Sequence, residues 1–175
     1  MRATGRAGPG NGKHPIQKVS VVFLRQVLKT SRVGQLPLKG VPVLGNDGTV
    51  AQAVVQMRAH SHGSTLVVKG GRLTGIFTER DLLKLVANRE SLEQPVSEAM
   101  TANPRTVTRD DSLFDVIQLL DQGGYRRLPV VDISGAPVGL IDVKTVVHFL
   151  VEHFPAGVYN QAPRALLNPR SREGA

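Results

Sequence analysis

Gly75-Ile76-Phe77-Thr78-Glu79-Arg80-Asp81 recurs in altered form as Gly139-Leu140-Ile141-Asp142-Val143-Lys144-Thr145. In both copies a glycine precedes two apolar residues that end a strand, and a hydroxyl or carboxylate residue follows that can cap a helix. An amphipathic helical pattern comes next. The first copy has Thr and then Asp three residues later, whereas the second has Asp and then Thr. A motif that returns in this way predicts one folding unit built twice. The swap of its two polar residues bears on whether the protein offers two binding sites, one or none.

The repetition extends on both sides of the motif. Thr49-Val50 matches Ser112-Leu113, Val54 matches Ile117, Met57 matches Leu120 and Val67-Val68 matches Val130-Val131, all at an offset of 63. Gly75 and Gly139 are 64 apart, so one residue is added between those landmarks, where Lys69-Gly70-Gly71-Arg72 becomes Asp132-Ile133-Ser134-Gly135-Ala136. A hairpin turn is where a repeat tolerates such an insertion.

Each unit reads as strand, helix, strand, strand, helix. In the first, Val41–Leu44 is a short strand, Asn46-Asp47-Gly48 a turn, and Thr49 the cap of a helix with the stripe Val50, Val54 and Met57. Thr65–Val68 and Leu73–Phe77 form a hairpin around Gly70-Gly71. Thr78 opens the closing helix, with Leu82, Leu83, Leu85 and Val86 as its expected buried side. In the second unit Arg105–Val107 is the strand, and Asp111 or Ser112 caps a helix with the stripe Leu113, Val116, Ile117 and Leu120, ended by Gly123-Gly124. Leu128–Val131 and Val138–Ile141 are the second hairpin, and Val143–Phe154 is the last helix, stopped by Pro155. The expected organisation is a basic tail over 1–15, an amphipathic helix and linker over 16–32, repeats over 33–90 and 91–154, and an extended tail over 155–175. Units of this size are marginal alone, so the two are expected to share a core.

The composition removes several function classes. The chain has no cysteine, which excludes disulfides, thiolate metal sites and a cysteine nucleophile, and points to a reducing compartment. Aromatics are 4% with no Trp, which argues against base-stacking platforms for nucleic acid. No apolar run approaches the roughly 18 residues of a membrane span. A cytoplasmic protein with no membrane partner is therefore the expectation. The formal charge of +8 is lopsided: residues 1–40 hold eight Lys or Arg and no acid, leaving 14 basic against 14 acidic residues elsewhere. The N-terminal segment alone is thus a candidate arm for nucleic acid or an acidic partner, a solubilising tail, or an organellar transit peptide.

A tandem β-α-β-β-α unit with Gly-apolar-apolar-Thr-x-x-Asp at its second hairpin strand resembles a CBS domain pair, or Bateman module. Gly75-Ile76-Phe77-Thr78-Glu79-Arg80-Asp81-Leu82-Leu83 carries the resemblance, with Tyr125-Arg126-Arg127-Leu128-Pro129-Val130-Val131-Asp132 and Val96-Ser97-Glu98-Ala99-Met100-Thr101. It spans about residues 33–154 and implies an α/β (α+β) fold, with repeats packed sheet to sheet about a pseudo-twofold axis that leaves two clefts. It further implies adenosine ligands (AMP, ADP, ATP or S-adenosylmethionine), a homodimer, and a regulatory rather than catalytic role toward an unidentified partner.

The residues support such a ligand on their own chemistry. A helix N-terminus offers N–H groups and partial positive charge to phosphate oxygens. The Thr78 hydroxyl can donate to a phosphate, Arg80 can pair with one, and the Asp81 carboxylate suits the paired hydroxyls of a ribose. Val41, Val43, Gly63, Ser64 and Thr65 are candidates for adenine, and Gly75 and Ile76 of the motif strand complete the candidate set. The competing reading is a capping box, in which Thr78 and Asp81 satisfy each other and no ligand is needed.

In the second copy Asp142 stands where the resemblance places the hydroxyl, and Thr145 where it places the carboxylate. A carboxylate about 5 Å from a phosphate charge costs about 3 kcal/mol at an effective dielectric of 20. A second cleft formed by Val107, Tyr125, Arg126, Arg127, Asp142 and Thr145 is therefore expected to be degenerate or to take a ligand without phosphate at that point. The spacings His60/His62 and His148/His153 do not put two imidazoles on one helical face, so no metal is expected. Neither G-x-S-x-G nor G-x-x-x-x-G-K-[ST] occurs, and no catalytic constellation is evident.

Overall fold

The computed structural model describes residues 21–38 and 40–153. The expected basic tail over 1–15, the start of the first helix over 16–20, and the C-terminal tail over 155–175 lie outside the described residues, as does Phe154.

The first helix, α1 (Val21–Thr30), leads through a 3-10 turn (Val33–Gln35) into strand β1 (Val43–Gly45), helix α2 (Val50–Ala59) and the hairpin β2 (Ser64–Lys69) and β3 (Arg72–Thr78). Helix α3 (Glu79–Asn88) closes the first repeat. A short helix, α4 (Val96–Ala99), and strand β4 (Thr101–Ala102) lead to α5 (Leu113–Gln122), the hairpin β5 (Arg127–Val131) and β6 (Pro137–Asp142), and α6 (Val143–His153). Thr49 and Ser112 cap α2 and α5, their hydroxyls accepting from the N–H groups of Gln52 and Asp115 at 3.2 and 3.1 Å.

Strand pairing repeats with the sequence offset. Leu44 pairs in parallel with Val67, and Val107 with Val130. Val67 then pairs antiparallel with Gly75, and Val130 with Gly139, each followed at once by a bulge. The expected strand at Arg105–Val107 is reduced to that single bridge, held by Val107 N–H to Pro129 O (3.0 Å) and Val131 N–H to Val107 O (2.9 Å). The added residue sits in the β5–β6 turn. There the Asp132 carboxylate accepts from the Ser134 hydroxyl at 2.6 Å and from the N–H groups of Ser134 and Ala136 at 2.8 and 3.0 Å. These bonds, the Ser134 hydroxyl foremost, hold the Asp132 carboxyl below its ordinary range.

Each repeat is completed by the opening segment of the other. Val33 donates to Asp111 O and Leu113 to Ser31 O; 63 residues on, Val96 donates to Gly48 O and Val50 to Gln94 O. The bridges Arg32–Ser112 and Thr49–Pro95 obey the same rule. Val33, Leu36 and Leu28 are therefore buried with Val107, Leu113, Val116 and Phe149 of the second repeat, while Val96 is buried with Val50, Ala53 and Phe77 of the first. A third, smaller cluster joins the sheets: Leu66 and Ile76 from one repeat meet Leu140 from the other.

One burial expectation fails. Leu85 is buried on α3, but Leu83 and Val86 are 68% and 58% exposed. Leu82 and Leu85, three apart, already fill the inward stripe of a ten-residue helix, and Leu83 and Val86 fall on its outer side.

Candidate ligand cleft

The N-terminal turn of α3 lies beside the start of β5, and a cleft of about 600 Å³ opens between them. Ile76, Thr78, Arg80 and Asp81 line it from the first repeat, together with Glu79, Leu83 and Lys84. Thr101 lines it from β4, and Gly124, Tyr125, Arg126 and Arg127 from the second repeat. It is thus a cleft between repeats, built on one helix start and one strand start.

Thr78 and Asp81 are engaged with each other. The backbone N–H and the hydroxyl of Thr78 both donate to Asp81 Oδ2, at 3.1 and 2.7 Å, and Lys84 Nζ stands 3.4 Å from Asp81 Oδ1. Asp81 is buried although charged, which these three donors make tolerable. The other copy forms the same two-bond ring with the roles exchanged: the N–H and hydroxyl of Thr145 donate to Asp142 Oδ1 at 2.7 and 2.8 Å. The swap of Thr and Asp therefore preserves the helix cap in both repeats. It changes only which end of the ring carries the negative charge.

Arg127 clasps the two repeats. Its Nη1 donates to Gly63 O at 2.6 Å and its Nη2 lies 3.7 Å from Glu79 Oε2. The Glu79 N–H donates to the same Gly63 carbonyl at 3.3 Å. A Cβ on Gly63 would stand 2.5 Å from Glu79 Oε2 and 2.6 Å from Arg127 Nη2, so the glycine leaves room for this clasp. The Arg127→Ala variant is expected to lose about 1.5–3 kcal/mol in urea denaturation, because a charged donor to a part-buried carbonyl disappears. Glu79 is two-thirds exposed, so Glu79→Ala is expected to cost under about 1 kcal/mol. Equal losses in the two variants would show that the carbonyl bond is not the important half.

The remaining expected site residues lie elsewhere. Thr65 is fully buried and donates to Ala53 O at 3.3 Å on the α2 side of the sheet. Ser64 is fully buried beside Thr78 in the ladder, its Oγ without a partner among the described residues. Val41 packs against the cluster between the sheets, and Val43 is 43% exposed at the start of β1. Gly75 faces Met100, and Val107 belongs to the core of the second repeat. Tyr125, Arg126 and Arg127, assigned from the sequence to a second cleft, line the same cleft as Thr78 and Asp81. The reason is the packing of one repeat on the other, which brings the start of β5 to the start of α3. Glu79, Leu83, Lys84, Thr101 and Gly124 line the cleft but were not expected as site residues from the sequence. Lys84, three residues after Asp81 on a helix, carried the one local signal.

The family model described as CBS domain matches the chain twice, over residues 33–88 and 96–152. The chain belongs to the CBS domain family. The pair is 30% identical over 123 residues to an uncharacterized 17.7 kDa protein of Acidianus ambivalens, covering 70% of this chain and 74% of that one. Several curated relatives from Arabidopsis thaliana are longer, and the chain spans 20–23% of their length. Among solved structures, the pair resembles a CBS-domain-containing protein from Agrobacterium tumefaciens with 31% identity and a TM-score of 0.56, covering 71% of this chain and 95% of that one. It also resembles CBSX2 in complex with AMP, with 25% identity and a TM-score of 0.63, covering 70% and 97% of the two chains. Among the described residues no cluster of three or more His, Asp or Glu could hold a metal, and no helix is long and apolar enough to cross a membrane.

Proposed function

We propose that this CBS pair is a non-catalytic sensor that binds an adenosine nucleotide in the cleft between α3 and the start of β5. One observation carries the reading: Asp81, a ribose-type acceptor at a helix start, lines the same cleft as Arg80, Arg126 and Arg127. The AMP complex of the related CBSX2 supports the ligand class. Binding requires the Thr78–Asp81 ring to open, so that Asp81 exchanges the Thr78 hydroxyl for ribose hydroxyls while Lys84 keeps its charge compensated. Ligand then stabilises the pair by mass action. A thermal-shift panel with AMP, ADP, ATP and S-adenosylmethionine is the test. At 100 times its Kd a ligand adds about 2.7 kcal/mol, a shift of several degrees. Asp81→Ala is expected to weaken binding by about tenfold or more, the loss of hydrogen bonds to a charged acceptor. No shift at millimolar ligand, or a shift indifferent to Asp81→Ala, rejects the reading.

The exposed Leu83 and Val86 on α3, with Val143 and Val147 on α6, favour a second reading, a homodimeric scaffold that buries these helices in a partner copy. It predicts a dimer mass that is the same with and without nucleotide.

A further inference from the structure

The charges that line the cleft come from two walls and do not cancel. Arg80 and Lys84 stand on α3, Arg126 just before β5 and Arg127 at its start, and the acids in the lining, among the described residues, are Glu79 and Asp81. Asp81 is matched by Lys84 and Glu79 by Arg127. Arg80 and Arg126 have no carboxylate partner among the described residues, and both are exposed. From the sequence, Arg80 was the one of these cations expected at the first site, and Arg126 and Arg127 were expected at the other cleft.

We propose that the cleft selects for the number of phosphates: it takes a nucleoside polyphosphate in preference to a monophosphate and disfavours a cationic adenosyl ligand. This rests on the adenosine-nucleotide reading and goes beyond it in naming the ligand class. A nucleoside monophosphate carries about two negative charges on one phosphoryl group. One such group beside α3 leaves guanidinium groups on the facing wall unmatched. A chain of phosphates reaches both walls. The Arg127–Glu79 pair is long, at 3.7 Å, and its acid is two-thirds exposed, so Nη2 can exchange Glu79 for a phosphate at little loss while Nη1 keeps its bond to Gly63 O. Arginine suits this role because its planar fork meets phosphate oxygens two at a time. A sulfonium ligand such as S-adenosylmethionine brings positive charge into a cleft that already has an excess of it.

Titration calorimetry of the full chain in metal-free buffer with AMP, ADP, ATP and S-adenosylmethionine tests the proposal. Each further phosphate, about 4–6 Å from one more guanidinium, is expected to tighten binding roughly five- to tenfold. Raising the salt from about 0.05 M to about 0.5 M shrinks that gain, because exposed charges are screened. Arg126→Gln and, separately, Arg80→Gln are expected to cut the ATP-to-AMP affinity ratio about fivefold. Both side chains are exposed, so the variants keep the wild-type melting temperature in the absence of ligand. AMP binding as tightly as ATP, S-adenosylmethionine binding as tightly as ATP, or variants that weaken AMP and ATP alike would overturn the selectivity and leave the nucleotide reading standing. Failure of all four ligands to bind overturns both.

Discussion

Truncating the chain at its N-terminus to Gly40 is expected to unfold the second repeat, although the removed residues end at the opening segment of the first. Leu28, Val33 and Leu36 are buried among Val107, Leu113, Val116 and Phe149, with Leu24 and Leu38 packed at the margin. Burial of such a side chain contributes about 1.5–3 kcal/mol, so the three together contribute roughly 5–9 kcal/mol. Releasing the segment returns some chain entropy. Against that, the truncation exposes the side chains that faced it and removes the backbone bonds Val33–Asp111, Gly34–Arg109 and Leu113–Ser31. The net loss is comparable to the whole stability of a domain, about 5–15 kcal/mol. Urea denaturation followed by amide exchange should find α5, β5 and β6 unprotected in the truncated chain. Val33→Asp, which buries an unpaired carboxylate in the same place, should have the same effect. Val22→Ala on the exposed side of α1, where Val22 is 77% accessible, should change stability by less than about 0.5 kcal/mol. A truncated protein with an unchanged urea midpoint would refute the crossover.

The motif glycine is the second position of large effect, and the expected damage is to stability rather than to ligand contact. Gly75 is buried on β3 between Val67 of β2 and Ala102 of β4. A Cβ built there falls on the Met100 sulfur, with Met100 Cε and Cγ 2.7 and 2.8 Å away. Its φ is not among the positive ones, so the constraint is space and not backbone conformation. Methionine is flexible and can swing partly aside, so Gly75→Ala is expected to cost about 1 kcal/mol. Gly75→Val adds two more methyl groups against a side chain packed on the core of the first repeat and is expected to cost about 3 kcal/mol. Combined with Met100→Ala, the Gly75→Ala loss should shrink, a coupling of about 1 kcal/mol in a double-mutant cycle. If Gly75→Val instead weakened nucleotide binding with stability intact, the glycine would be serving ligand approach.

Much of this was legible in the residues because it is local. Period-2 and period-3.6 patterns place β2, β3, α3 and their second copies within a residue or two. Thr49 and Ser112 announce their helix caps by type and position. The Thr-x-x-Asp and Asp-x-x-Thr motifs each close within one helical turn, so the capping reading could be made without knowing what lies opposite. Leu83 and Val86 were misplaced because a run of four apolar residues in five does not say which stripe of a short helix faces inward; the position of α3 on its sheet decides that.

The sequence by itself determined that one unit is built twice, that its turn tolerates an added residue, and that Thr and Asp change places between the copies. It did so because strand alternation, helix caps and tight turns are set by residues within four positions of each other. Only the tertiary structure decided that Val33 completes the second repeat and Val96 the first. It alone put Arg126 and Arg127 into the cleft that Thr78 and Asp81 line, although Arg127 is also the ladder partner of Asp142. Those placements follow from burying the lead-in segments and the facing sheets together. The apolar surface removed from water selects that arrangement, and no spacing along the chain records which charges it then brings face to face.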